Sequence, residues 1–218
     1  LKEDELICPG TSDEETAQPE KIAFGLGVDA LDATTAEGMA WVEANVDVDE
    51  YIRYVIAQMY TYNSDGMYNG GNNSILWKSA VLDPDNPYAD GRWRFLLNDL
   101  DSTLYDVEVD PFAYLLENDF SFAARETAPW YSVVDNLFQK LWQNANFRAR
   151  FAEEFRREMA TVYAPDSILP AFEAWVARLA PEIPQDLARQ KVETTWLAPL
   201  ARALGVEVEP GGITETEW

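Results

Sequence analysis

Histidine is absent from this 218-residue chain, and cysteine occurs once, as Cys8. Without histidine there is no Ser-His-Asp triad, no facial iron triad and no His-ligated zinc. A lone thiol forms no disulfide within the chain, and with no histidine beside it makes a poor nucleophile. Any chemistry must run on carboxylates, lysine, tyrosine or metal-bound water. Basic residues are also scarce: 16 Lys and Arg stand against 39 Asp and Glu, a formal charge of −23. Such a surface repels nucleic-acid backbones, which bind through Lys and Arg displacing counterions, so a nucleic-acid partner is excluded. It equally disfavours anionic membranes, and no apolar run approaches the ~20 residues that span a bilayer. Membrane insertion is therefore not expected. The chain opens at Leu1 with no signal-peptide pattern, and reads as a mature or truncated product.

What is present is a core. Hydrophobic residues make up 47% and aromatics 13% of the chain, too apolar for disorder. Residues 1–21 are charged, non-periodic and punctuated by Pro and Gly, so residues 1–34 are expected to form an extended or loop segment. A helix is predicted over Thr35–Asn45. A stronger one follows, with Ile52, Val55, Ile56, Met59 and Tyr60 on one stripe and Asp49 as its N-cap. Ser74–Ala80 and Arg92–Asn98 are rich in strand formers and joined by a turn-rich connector, which predicts a hairpin with a long loop. Beyond Asp101 the spacing becomes helical. Val134, Leu137, Phe138, Leu141 and Trp142 form one stripe, and Phe147, Phe151, Phe155, Met159 and Val162 another. Ser167–Leu179 and Thr195–Leu204 read as further helices, before an acidic tail at 206–218. The fold class expected is mainly α (α+β): one helical domain over 35–205 with a small β-hairpin.

The chemistry concentrates between Asp65 and Asp101, in DGMYNGGNNSILWKSAVLDPDNPYADGRWRFLLNDLD. An aspartate just past a helix is followed by an Asn-Gly loop holding Asn69, Asn72 and Asn73, then by a strand ending in Asp99 and Asp101. Asp-Gly and Asn-Gly pairs are turn formers in their own right. Residues two apart on a strand share a face, however, and two carboxylates there repel unless a cation lies between them or one is protonated. Magnesium takes hard oxygen ligands and reaches nucleotide phosphates through one or two carboxylates. The order matches that of protein-kinase-like enzymes: a loop aspartate for the acceptor hydroxyl, a downstream asparagine on one metal, and a strand-end aspartate on the metal bridging the β- and γ-phosphates.

The run NNSILWKS…DGRWRFLLNDLDSTL resembles the CotH kinase family, the spore-coat-protein-H-like atypical protein kinases. The later NLFQKLWQNANFRARFAEEFRREM and APEIPQDLARQ resemble its helical continuation, so the likeness spans roughly Asp49 to Gln190. It implies the helical C-terminal lobe of an atypical protein-kinase-like fold, with the metal site on the hairpin. It also implies ATP with Mg²⁺ or Mn²⁺, and Ser or Thr of a protein as acceptor, at an extracellular, cell-surface or spore-coat location. Residue by residue, Asp65 would be the catalytic aspartate. Asn73, or else Asn72, would be the loop metal ligand, with Asp99 and Asp101 also on metal, and Lys78 would face phosphate or be a surface lysine.

The chain departs from the family pattern in three places. YNGG lengthens the step from Asp65 to the Asn pair. Asn98 replaces the tryptophan before Asp-x-Asp, and Ser102-Thr103-Leu104 replaces the following Phe-Gly. Only 64 residues precede Asp65, with no nucleotide-binding lobe among them. A C-terminal piece, or a non-catalytic surface or coat module that keeps the scaffold, are the alternatives this leaves. A structural Ca²⁺ site in an extracellular module is a third.

Overall fold

A computed structural model describes residues 19–67, 73–104, 108–118 and 133–183. These are mainly helical with one two-stranded antiparallel sheet, as the composition and periodicity led us to expect. No helix among them is long and apolar enough to cross a membrane. Two compact units divide near Glu158.

The first element corrects the sequence reading. Residues 19–30 form helix α1 (Pro19–Ala30), inside the segment expected to be extended or loop. Two glycines argue against a helix locally, but tertiary packing overrides propensity. Phe24, Val28 and Leu31 are buried at helical spacing. At Gly27 a Cβ would lie 2.4 Å from the Trp41 ring, so the bare backbone is what lets that indole pack.

Helix α2 (Ala36–Asn45) starts at Thr35, whose hydroxyl accepts from the Gly38 amide at 3.0 Å. Helix α3 (Val48–Thr61) carries the expected stripe, but its N-cap is Asp47 rather than Asp49. Val48 is buried and so belongs inside the helix, while Asp49 points outward to Arg150 at 2.7 Å. Val48, Tyr51, Ile52, Tyr54, Val55, Ile56, Ala57 and Gln58 are all buried, so α3 is the spine of the first unit. The far part of the stripe is wetter, with Tyr60 at 37% exposure.

Strands β1 (Ser74–Trp77) and β2 (Arg94–Leu97) pair antiparallel, from Ser74 opposite Leu97 to Trp77 opposite Arg94. Both are shorter than the sequence suggested. Trp93 leaves the hairpin to bond Asn45 and Asp47 through its backbone instead, at 2.8 and 3.1 Å. Leu76 and Phe95 face α3, where the Phe95 ring meets Tyr51 and Tyr54. Ile75 and Leu96, on the opposite face, remain exposed.

Helices α4 (Pro111–Glu117), α5 (Val133–Trp142) and α6 (Ala145–Ala160) complete the unit. Their aromatic stripes are core: Phe138 packs on Phe112, Trp142, Phe147 and Phe151. Helix α1 lies along α5, where Lys140 donates to the Asp29 carbonyl at 2.8 Å. In the second unit α7 (Pro165–Leu179) forms where a helix was expected, two residues early, and buries none of its residues. Val162, assigned to the α6 stripe, lies past that helix and is 54% exposed. The helix expected over Thr195–Leu204 and the 206–218 tail lie outside the described residues.

Candidate functional site

The site is built by two loops that leave the same scaffold side by side. The first follows α3. Tyr62 closes the helix in the left-handed region (φ 43°), its amide donating back to Gln58 and Met59 carbonyls. This turns the chain sharply and presents Asn63, Ser64, Asp65 and Gly66. The second leaves β2, where Asp99 (φ 49°) and Leu104 (φ 61°) are also left-handed. Such backbone costs a non-glycine residue roughly 1–2 kcal/mol, and Asp and Asn bear it best.

Four hydrogen bonds join the loops, one of them Ser64 Oγ donating to Ser102 O at 3.4 Å. Leu104 N donates to Thr61 O at 2.8 Å, and Ser64 N to Ser102 O at 3.1 Å. Asn63 Nδ2 donates to Asp99 O at 3.3 Å. Asp65 thus sits on a turn clamped against the segment bearing Asp99 and Asp101. Its carboxylate is held in turn, because Asn73 Nδ2 donates to Asp65 Oδ2 at 3.0 Å. Asn73 does so from a left-handed backbone (φ 53°), directly before β1. With the amide nitrogen engaged, Oδ1 is the atom Asn73 could offer a hard cation. Asn69 and Asn72 lie outside the described residues.

The shared-face argument for Asp99 and Asp101 does not hold. Regular strand ends at Leu97, and the left-handed Asp99 breaks the alternation that would align the two side chains. Both carboxylates are exposed, and among the described residues no Lys or Arg pairs with either. Nor do the described residues gather three or more Asp, Glu, Cys or His side chains as a metal cage. Lys78 lies past the far end of β1, roughly 13 Å along the strand from Ser74 at ~3.3 Å per residue. There it pairs with Glu20 Oε2 at 3.1 Å and stands 5.2 Å above the Trp93 ring.

Beneath the loops is a buried polar layer that the sequence reading missed. Gln58 Nε2 donates to Tyr54 Oη at 3.0 Å, and Tyr54 Oη lies 2.9 Å from Ser74 Oγ. Burial pushes the Tyr54 hydroxyl up to about 12, against the pull of the Ser74 and Gln58 bonds. Glu50 accepts the Phe95 amide at 3.0 and 3.3 Å. Burial pushes its carboxyl up to about 7, and the Phe95 amide works against that rise. The Asp47-x-x-Glu50 spacing of a capping box was the available signal for Glu50; here its side chain serves the strand instead.

The family model described as CotH kinase protein matches residues 13–200. The chain belongs to the CotH kinase family. Comparison with curated proteins and with solved structures gives no match. The matched span includes α1, α2, α3, the hairpin and both loops, so the CotH kinase assignment covers the whole candidate site. It also covers α1, which the sequence reading had left out of the domain.

Proposed function

We propose that this CotH kinase chain is the catalytic lobe of an atypical protein kinase, transferring the γ-phosphate of ATP to Ser or Thr of a protein. The observation that carries the reading is the Asp65 carboxylate, oriented by Asn73 on a turn clamped to the Asp99–Leu104 loop. Asp65 would orient the acceptor hydroxyl and take its proton. Asn73 Oδ1, Asp99 and Asp101, with Asn72 as the alternative loop ligand, would hold Mg²⁺ or Mn²⁺ against the phosphates. This donor set is oxygen-only and short of a cage, which fits magnesium, since phosphate and water complete its shell. The cation would neutralise charge on the transferring group. The exposed Ile75–Leu96 pair offers apolar surface on the hairpin. Lys78 reaches phosphate only by leaving Glu20. A surface or spore-coat location is the corresponding proposal for where it works.

The test is a melting temperature with and without Mg²⁺, Mn²⁺ and ATP at fixed ionic strength, alongside an Asp99→Asn, Asp101→Asn double variant. A shift that the variant loses supports the metal assignment. Labelled phosphate transfer that falls ~10²–10⁴-fold in Asp65→Asn supports the base. No shift in either protein, and no transfer, sinks the kinase reading and leaves a non-catalytic surface or coat module. A preference for Ca²⁺ would instead favour a structural calcium site.

A further inference from the structure

Asn63 is fully buried, yet it is polar and incompletely satisfied. Its Oδ1 meets no donor, and neither does Oε1 of Gln58, which is equally buried and accepts the Asn63 amide at its backbone carbonyl, 3.4 Å away. A buried amide oxygen without a donor is destabilising, and an aliphatic side chain of the same size would fill the space without that penalty. The use of the amide therefore lies in what it contacts. Its Nδ2 reaches the carbonyl of left-handed Asp99, while the main-chain carbonyl of Asn63 accepts the Gly66 amide at 2.9 Å. Gly66 follows Asp65, and a Cβ there would stand 2.7 Å from Asn63 Nδ2 and 2.9 Å from Gln58 Oε1. The Asp65–Gly66 turn is thus pressed directly on the two amides, and one residue touches both arms of the site.

We propose that Asn63 is a positioning residue that sets Asp99 relative to Asp65. It acts from beneath, through the Asp99 carbonyl and the Gly66 amide that follows Asp65, and touches no substrate. Gln58 backs it, and Gly66 is glycine because the turn must close on these amides. The proposal rests on the kinase reading only for its consequence on metal binding; the mechanical link between the loops stands apart from it.

The experiment uses the full chain as wild type, Asn63→Leu and Gly66→Ala. Hydrogen exchange of the Ser64, Gly66 and Leu104 amides is followed without metal or nucleotide, and Mn²⁺ is titrated calorimetrically in the presence of ATP. Asn63→Leu should keep the fold while exchange at these amides accelerates at least several-fold. Its Mn²⁺ affinity should fall ~10–100-fold, the range for losing a partner behind a metal ligand. Gly66→Ala, which leaves position 63 intact but displaces its amide, should loosen the same amides. It decides the matter if Asn63→Leu does not fold. Unchanged exchange in the folded variants would overturn the proposal, as would unchanged Mn²⁺ affinity in a wild type that binds. A wild type that binds no Mn²⁺ defeats the kinase reading alone, and the exchange result then decides the link between the loops.

Discussion

The two ends of the β1–β2 hairpin handle acidic charge in opposite ways. At the connector end, Arg94 is 2% exposed and grips Asp90 with its two terminal guanidinium nitrogens at 2.9 Å. It also reaches Asp47 at 3.0 Å and the Pro87 carbonyl at 3.0 Å, with the Trp77 and Tyr88 rings 5.5 Å from its guanidinium carbon. The carboxylates there are neutralised from within, and the Arg94 hydrogen bonds hold Asp90 well below the usual carboxylate range. At the open end, Asp99 and Asp101 face solvent on left-handed or turn backbone, with no cationic side chain beside them among the described residues. One end is finished as structure; the other leaves its carboxylates open to solvent, where the proposed cation would sit.

Breaking the finished end should have the largest effect. Arg94→Met removes the buried partner of Asp90 and Asp47, leaving them to Arg92 alone, and should cost about 2–3 kcal/mol, read by urea denaturation. Next comes Glu50, which ties α3 to β2. Its folded pKa of about 7 lies above the ordinary 4.5, so the native state holds a proton that the unfolded chain releases between those values. The contribution of Glu50 to stability is therefore greatest below pH 4.5 and declines as pH rises toward 7. The loss should be of order 1–2 kcal/mol once the solvent screening of a partly exposed group is allowed for. Melting temperatures of Glu50→Gln across that range should lack the decline. Gly91, left-handed at φ 77° with Leu82 3.0 Å from a would-be Cβ, should lose about 1 kcal/mol as Gly91→Ala in the same denaturation assay. The smallest effect sharpens the comparison. Without metal, the Asp99→Asn, Asp101→Asn pair should change stability by less than ~0.5 kcal/mol. A large loss there would mean the open end is structure too.

Much of this organisation was legible because period and burial agree. The α3, α5 and α6 stripes are apolar at helical spacing and lie against one core, and the hairpin strands are bounded by turn residues. Helix α1 was illegible because its glycines, one of them making room for Trp41, lower local propensity. Residue type and order single out Asp65 and Asn73, and a hydrogen bond joins them. Asp99 and Asp101 were singled out by a strand alternation that stops before them at Leu97. Gln58 and Asn63 gave no signal at all. A polar residue on an apolar helix face, or just past its end, reads as solvated until packing shows it covered.

The Arg94 clamp also has a consequence at a distance. The hairpin has no tight two-residue turn to dictate its alignment, and a strand that slips by one residue presents its other face. A slip of β2 would expose Phe95, turn Leu96 toward α3, and carry the Asp99 carbonyl about 3.3 Å along the strand, out of reach of Asn63. By anchoring β2 beside Asp47 and Asp90, Arg94 acts as the zero mark of a ruler whose other end is read at Asp99.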